Sequence, residues 1–277
     1  MNKFNKKIAT IVVISMTTVI GLVSCNKNEV KSKDENILLD KYKVNEDSAK
    51  ALYIEDLDLK QINKNSSNRI VINKIKNISS FNISDIWLVY NELDSKGKII
   101  SESKMFLDMT LKPKDIFNAS FNLKESSETI NIIGYEYTAD KNNITVNLKD
   151  DSVKIREKDI DIKDSYDYEV LDISDMEKLG SSKGGENYLV KVKNTSSKNL
   201  GNITLKIAEL NKKGEYIRVY HESPYSALKP LEEADITIKS EKNANEVKII
   251  GYIYDDIDSK SNIDIDLEAN EAQVTKY

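Results

Sequence analysis

From Ile86 the chain alternates, with Ile86, Leu88 and Tyr90 on one side and Trp87, Val89 and Asn91 on the other. Side chains two apart share a face of an extended backbone, so the stretch predicts a strand with one face on a core. A polar turn at Ser95, Lys96 and Gly97 follows, then Ile99 and Ile100 resume the apolar pattern, which reads as a β-hairpin. Similar runs are expected at Leu52 to Leu59, Arg69 to Ile75, Ile86 to Leu93, Lys98 to Leu107, Asp115 to Leu123, Ile130 to Tyr137 and Ile144 to Leu148. Asn-, Ser- and Lys-rich turns separate them. Apolar spacing of three and four is not sustained, and β-branched residues dominate, so helices are not expected.

The same pattern then returns at one constant offset. Ile86, Leu88, Glu92, Leu93, Lys96, Gly97 and Ile100 recur as Ile203, Leu205, Glu209, Leu210, Lys213, Gly214 and Ile217. Asn77, Ser79 and Ser80 fall on Asn194, Ser196 and Ser197, and Leu111-Lys112-Pro113 falls on Leu228-Lys229-Pro230. Ile132 to Tyr137 (IIGYEY) falls on Ile249 to Tyr254 (IIGYIY). About a third of the aligned positions are identical without a gap, which is a tandem duplication and not low complexity. The period is too long for a solenoid unit, so each copy is expected to close its own core.

The sequence thus predicts an all-β chain of two tandem antiparallel β-sandwiches. The expected organisation is a leader at 1–24, a tether at 25–51, a first sandwich at 52–153, a charged linker at 154–167, and a second sandwich with a short tail at 168–277. With 277 residues, 39% hydrophobic and 31% charged, the chain has enough apolar side chains for two such cores.

The leader opens with Lys3, Lys6 and Lys7 and continues as an apolar run from Ile8 to Val23, near the short end of what spans ~30 Å of hydrocarbon. It ends in Leu22-Val23-Ser24-Cys25. These residues resemble a bacterial lipoprotein signal peptide, in which an aliphatic residue stands three before the cysteine and a small one just before it. The resemblance implies that Cys25 receives a thioether-linked diacylglycerol, becomes the mature N-terminus and anchors the chain to the membrane. An uncleaved anchor with an incidental cysteine is the other reading. Either places the remainder outside the cytoplasmic membrane, on its outer face.

Cys25 is the one cysteine, so disulfides, thiolate catalysis and cysteine-based metal sites are excluded. Losing the three leader lysines makes the mature chain more acidic than the net charge of −5 of the whole, which suits neither nucleic acid nor an anionic surface.

At Asn77 to Pro113 and Asn194 to Pro230 the copies resemble FxLYD-type extracytoplasmic domains of Gram-positive bacterial lipoproteins. That family's pattern is an Asn-Ser turn, a strand running into a Tyr-Asp-x-x-Gly-Lys turn, and Leu-Lys-Pro before the next strand. Tyr90-Asn91-Glu92-Leu93-Asp94 and Ile207-Ala208-Glu209-Leu210-Asn211 depart from the family's Tyr-Asp. The resemblance implies an immunoglobulin-like sandwich, no catalytic residue, and a binding or scaffolding role at the envelope.

The remaining chemistry is sparse. His221 is the one imidazole, which is taken to exclude a triad and a histidine-rich metal site, and it reads as a strand residue at the surface before a general base. Asp150, Asp151, Asp159, Asp161, Asp164 and Asp167, and further on Asp255, Asp256 and Asp258, lack the fixed spacing of a calcium loop and read as solvated. Tyr135 and Tyr137, echoed by Tyr252 and Tyr254, share a strand face and read as a packed pair before a sugar platform. No cofactor or metal is expected.

Between Ile100/Ile217 and Leu111/Leu228 the copies keep length but share no residue, SESKMFLDMT standing against RVYHESPYSA. The second version carries Tyr220, His221 and Tyr225 around Pro224, a candidate partner-binding face. The same aromatics could instead fill a gap in the second core. The sequence therefore points to a non-enzymatic lipoprotein that binds or scaffolds an envelope protein or cell-wall component. A solute-capturing lipoprotein of a transporter and an envelope hydrolase are the alternatives.

Overall fold

Nine strands build the first copy: β1 (Leu52–Ile54), β2 (Asp58–Gln61), β3 (Arg69–Asn77), β4 (Ser84–Leu93), β5 (Ile99–Leu107), β6 (Ile116–Leu123), β7 (Thr129–Ala139), β8 (Asn142–Asn147) and β9 (Ser152–Glu157). After β10 (Asp161–Asp164) the second copy repeats them as β11 (Leu171–Ile173), β12 (Glu177–Ser182), β13 (Gly185–Asn194), β14 (Leu200–Leu210), β15 (Tyr216–Glu222), β16 (Glu233–Lys239), β17 (Glu246–Asp256), β18 (Ser261–Asp266) and β19 (Glu271–Lys276). This computed structural model describes residues 44–55, 58–61, 69–158, 161–182, 184–224 and 226–277. Among them the chain is all-β, with one short 3-10 turn at Ser165–Asp167. Cys25, Asp159 and Tyr225 lie outside the described residues.

In the first copy a five-stranded sheet ordered β5-β4-β7-β8-β9 faces a smaller layer of β1, β2, β3 and β6. Alternation along the strands fills the space between them: Val71 and Ile75 from β3, and Phe117 and Phe121 from β6, meet Ile86 and Leu88 from β4. Tyr90 points inward with them, its ring edge-on to Phe121 at 4.8 Å. In the second copy β11, β12, β13 and β16 form the small layer, and β15-β14-β17-β18-β19 form the large one.

Two parts of the strand set were hidden by charge. Residues 154–167, read as a linker, supply most of β9, which pairs with β8, and β10, which pairs with β19. The stretch read as a tail holds β19 itself. Both are strands whose outer positions are solvated: in β9 Val153 and Ile155 pack on the core while Lys154, Arg156 and Glu157 are exposed.

The copies do not stay apart. β6 of the first pairs with β15 of the second, Phe117 opposite Tyr216, so one ten-stranded sheet crosses the junction. The described residues fall in one compact unit, Tyr42–Tyr277. The second core is made of second-copy residues alone, whereas the first also takes in Ala208, Leu210, Tyr216 and Ile250 from the second copy. Each copy was expected to close its own core; the first does so with side chains borrowed from its neighbour.

Candidate functional site

The motif residues that define the repeat turn out to be braces. Asn77 is fully buried, and its Nδ2 donates to the carbonyl oxygens of Leu111 at 2.8 Å and Phe81 at 2.9 Å. Asn194 does the same to Leu228 and Lys198 at 3.0 and 2.7 Å. Ser79 and Ser196 each donate to the Asn Oδ1 of their own copy at 2.7 Å. Leu-Lys-Pro recurs because its leucine is buried and its carbonyl satisfies the asparagine.

The tyrosine pairs are core. Tyr135, Tyr137, Tyr252 and Tyr254 are all at most 3% exposed, with centroids 6.1 Å apart in each copy. Tyr137 donates to Ala49 O at 2.8 Å and Tyr254 to Tyr168 O at 2.9 Å, pinning the segment that enters each copy. Burial pushes the Tyr135 hydroxyl up to about 12 and Tyr252 likewise. No ring face of these residues is open to a sugar.

Beside each pair stands a glycine whose side chain would have no room. A Cβ at Gly134 would lie 2.7 Å from Val146 O, and one at Gly251 2.3 Å from Ile265 O. One residue earlier, Ile133 and Ile250 are the extra residues of matching β-bulges against β4 and β14. The bulge and the glycine bend the sheet and leave a hollow on its outer face.

In the second copy that hollow is the junction. Lys206, on the outer face of β14, is only 6% exposed, and its Nζ donates to Asp108 Oδ1 of the first copy at 2.7 Å and to Asp264 Oδ2 at 2.8 Å. Asp108 Oδ2 lies 2.9 Å from Nε2 of His221. Thr110 bonds Asp266, Lys112 pairs with Glu268, and Glu215 takes Lys74 at 3.2 Å and Asn118 at 3.3 Å. The connection between β5 and β6 thus seats on the outer face of the second copy like a plug.

Electrostatics follow from the seating. Burial alone would lower the Lys206 ammonium, but Asp264 and Asp108 outweigh it and hold it above the usual lysine range. Burial would raise Asp108, yet hydrogen bonds from His221 and Lys206 keep it below the carboxylate range. Asp264 goes the other way, because its burial exceeds what Lys206 returns. The cavity left at the junction, between Asp85, Met109, Ile250 and Gln273, is about 30 Å³, room for one water and not for a solute.

The residues singled out as a partner face are placed as follows. His221 sits at the junction against Asp108 with a 43% exposed side chain. Tyr220 is half-buried against the second core, donates to Lys239 O at 3.3 Å and carries the Arg218 guanidinium over its ring at 3.9 Å. Tyr225 lies outside the described residues, as does Cys25. The acidic stretches gather no metal cluster among the described residues: Asp150 serves Ser152, Asp164 caps the 3-10 turn, and Asp256 pairs with Lys198.

One feature went unread in the sequence. Trp87 and Phe106 stack across β4 and β5 with centroids 4.6 Å apart, and both stay open to solvent at 38% and 41%. Their counterparts in the second copy are Thr204 and Ser223. Comparing the copies position by position would have exposed the pair, since a shared core cannot require it in only one of them.

No family model matches the chain, and no curated protein does. Among solved structures it is similar to a red sea bream transglutaminase, with 10% identity over 82% of this chain and 32% of that one, at a TM-score of 0.21. It is also similar to the exo-β-D-glucosaminidase CsxA and to the Amycolatopsis orientalis exo-chitosanase CsxA in complex with PNP-β-D-glucosamine, at 11% and 12% identity. Each of these covers 80% of this chain and 26% of that one, at a TM-score of 0.21. The chain spans a third or less of those proteins, and the likeness carries no argument about its activity.

Proposed function

We propose that the chain is a lipid-anchored extracytoplasmic protein, held by a diacylglycerol on Cys25, whose two tandem immunoglobulin-like sandwiches of FxLYD type bind or scaffold another envelope component. The observation that carries this reading is the closed junction. A solute-capturing protein needs a cleft of several hundred Å³ between its lobes, whereas the space between these copies is about 30 Å³ and spanned by ion pairs. A junction packed in this way makes a stiff double module, which suits presenting one extended surface to a partner.

The test is reversible crosslinking in the native cell, with the wild-type chain and Cys25→Ala compared. The expected result is one envelope protein or wall fragment recovered with the wild type and lost with the unanchored variant. Recovery of a small solute from the purified chain, with no crosslinked macromolecule, would overturn the reading in favour of capture.

A further inference from the structure

The plugged socket of the second copy has an open counterpart in the first. The registers match pair for pair: Gly134 opposite Asn147 as Gly251 opposite Asp266, Val89 opposite Lys104 as Lys206 opposite His221, and Leu93 opposite Ile99 as Leu210 opposite Tyr216. In the second copy the plug buries Tyr216 to 5% exposure, whereas Ile99 in the first is 54% exposed. Over Gly134 a groove of about 250 Å³ opens between Val89, Glu102, Thr145, Asn147 and Lys149. β15 is paired on its outer side by β6, while β5 is the edge of its sheet. Asn91, two residues from Val89 and the counterpart of Ala208, is 3% exposed with no partner for its Oδ1 among the described residues.

Charge says what fits. In the second copy Glu215 receives Lys74 of β3, beside the plug, and Glu268 receives Lys112 of the plug. Glu215 falls on Lys98 at the repeat's offset, and Glu268 falls on Lys149 by register, because the turn between β17 and β18 is two residues longer than that between β7 and β8. At those two lysines the incoming groups are therefore acidic where the plug is basic, while Glu102 at the groove faces a neutral or hydrogen-bond-donating part of the partner. A second copy of this chain would bring Lys191 and Lys229, the counterparts of Lys74 and Lys112, against Lys98 and Lys149, and like charges so placed repel. Head-to-tail stacking of the chain, which the repeat would otherwise permit, is thereby blocked.

We propose that the outer face of the first copy, centred on Ile99, Val89 and the Gly134 groove and flanked by Lys98 and Lys149, docks an acidic loop of a different protein, end-on as the first copy docks on the second. The proposal rests on the binding reading above and names its surface. The exposed Trp87 and Phe106 lie on the same sheet face and extend the contact beyond the groove. Aromatic side chains of this kind supply contact area at little conformational cost.

The test uses the full chain in its native cells with a benzophenone amino acid at Ile99 or, separately, at Tyr220. The expected result is a light-dependent adduct at Ile99 with one protein other than this chain, mapped to a segment bearing Asp or Glu. Lys98→Glu with Lys149→Glu, both at exposed positions, should cut that adduct about tenfold or more without moving the melting temperature. An adduct indifferent to the charge reversal, one mapped to a segment without acids or to a glycan, or one with a second copy of the chain would overturn the proposal. Adducts at Tyr220 alone would keep the binding reading and remove this face. Adducts at neither position would remove both.

Discussion

Asp108 and Lys206, from different copies of the repeat, form an ion pair at 2.7 Å with the lysine only 6% exposed. Lys206 also holds Asp264 at 2.8 Å, so one ammonium bridges two carboxylates where the copies meet. Removing one partner from such a group costs far more than the group contributes, because the others stay behind as uncompensated charge. Lys206→Met should therefore cost about 3–5 kcal/mol. Thermal melts of the variant check this, and a shift of under a degree would show that water already screens the cluster. The folded pKa of Lys206 is raised, so its contribution is fully present below the unfolded lysine value and is lost as pH rises through the folded one.

Glu92 and Glu209 occupy one position of the repeat but should answer differently to the same substitution. Burial would raise Glu92, but Ser127 Oγ donates to it at 2.6 Å and Lys124 N at 3.1 Å, and together with the Lys124 charge these hold it below its usual value. Glu209 is fully buried; its Oε1 accepts from Glu241 N at 3.1 Å and meets the half-exposed Arg218 at only 3.4 Å, its Oε2 is unpaired among the described residues, and burial outweighs these contacts and holds it above its usual value. Glu92→Gln should cost about 1–3 kcal/mol, as for a buried charged hydrogen bond. Glu209→Gln should be neutral or stabilising at pH 7. With the folded pKa depressed, the Glu92 contribution is present above the unfolded value and is lost as pH falls through the folded one. For Glu209 the sign reverses, and stability is gained as pH falls through its raised value. Equal losses at pH 7 in the two variants would contradict this.

Gly251 and Gly97 test whether the repeat keeps its glycines for space or for backbone angle. A Cβ at Gly251 would strike the Ile265 carbonyl at 2.3 Å, a backbone atom that cannot turn away. Gly97 has a φ of +78° in the hairpin turn with nothing within 4 Å. Gly251→Ala should lose about 1–3 kcal/mol or more through overpacking. Gly97→Asn should lose a few tenths, because asparagine tolerates the left-handed region. Chemical denaturation of both variants decides it, and a severe loss for Gly97→Asn would mean that the turn is tighter than its open surroundings show.

The strands with one buried face were legible because alternation reports burial directly: β3 buries Val71, Asn73, Ile75 and Asn77 at every second position. β4 departs from the rule near its end, where Asn91 and Glu92 are both buried although they are adjacent. Asn91 is covered on the outer face while Glu92 turns inward to Ser127. β9 and β10 were hidden because an edge strand needs few apolar residues, and a run such as Ser152–Glu157 resembles a solvated linker. The Tyr135/Tyr137 pair was read correctly, since a spacing of two with a neighbouring glycine is a local signal. The junction could not be read at all: Asp108, Lys206 and Asp264 are ordinary surface residues by sequence, and only their convergence gives them a role.

The second copy alone should fold, and it should show what the first conceals. Its core is built wholly from its own side chains, Val190, Ile203, Leu205, Ile236, Tyr252 and Ile265 among them. A fragment of residues 158–277 keeps β10 and its pairing with β19. Without the first copy, however, Ala208, Leu210, Tyr216 and Ile250 lose their cover, and Lys206 keeps Asp264 but loses Asp108. The fragment should give a β-type circular dichroism spectrum and a cooperative melt, about 5 °C or more below that of the full chain. It should also bind a hydrophobic dye that the full chain does not, because a contiguous apolar patch is newly exposed. A melt equal to that of the full chain would mean the junction contributes nothing to the second copy, and a fragment without a cooperative transition would mean that the second core depends on the first.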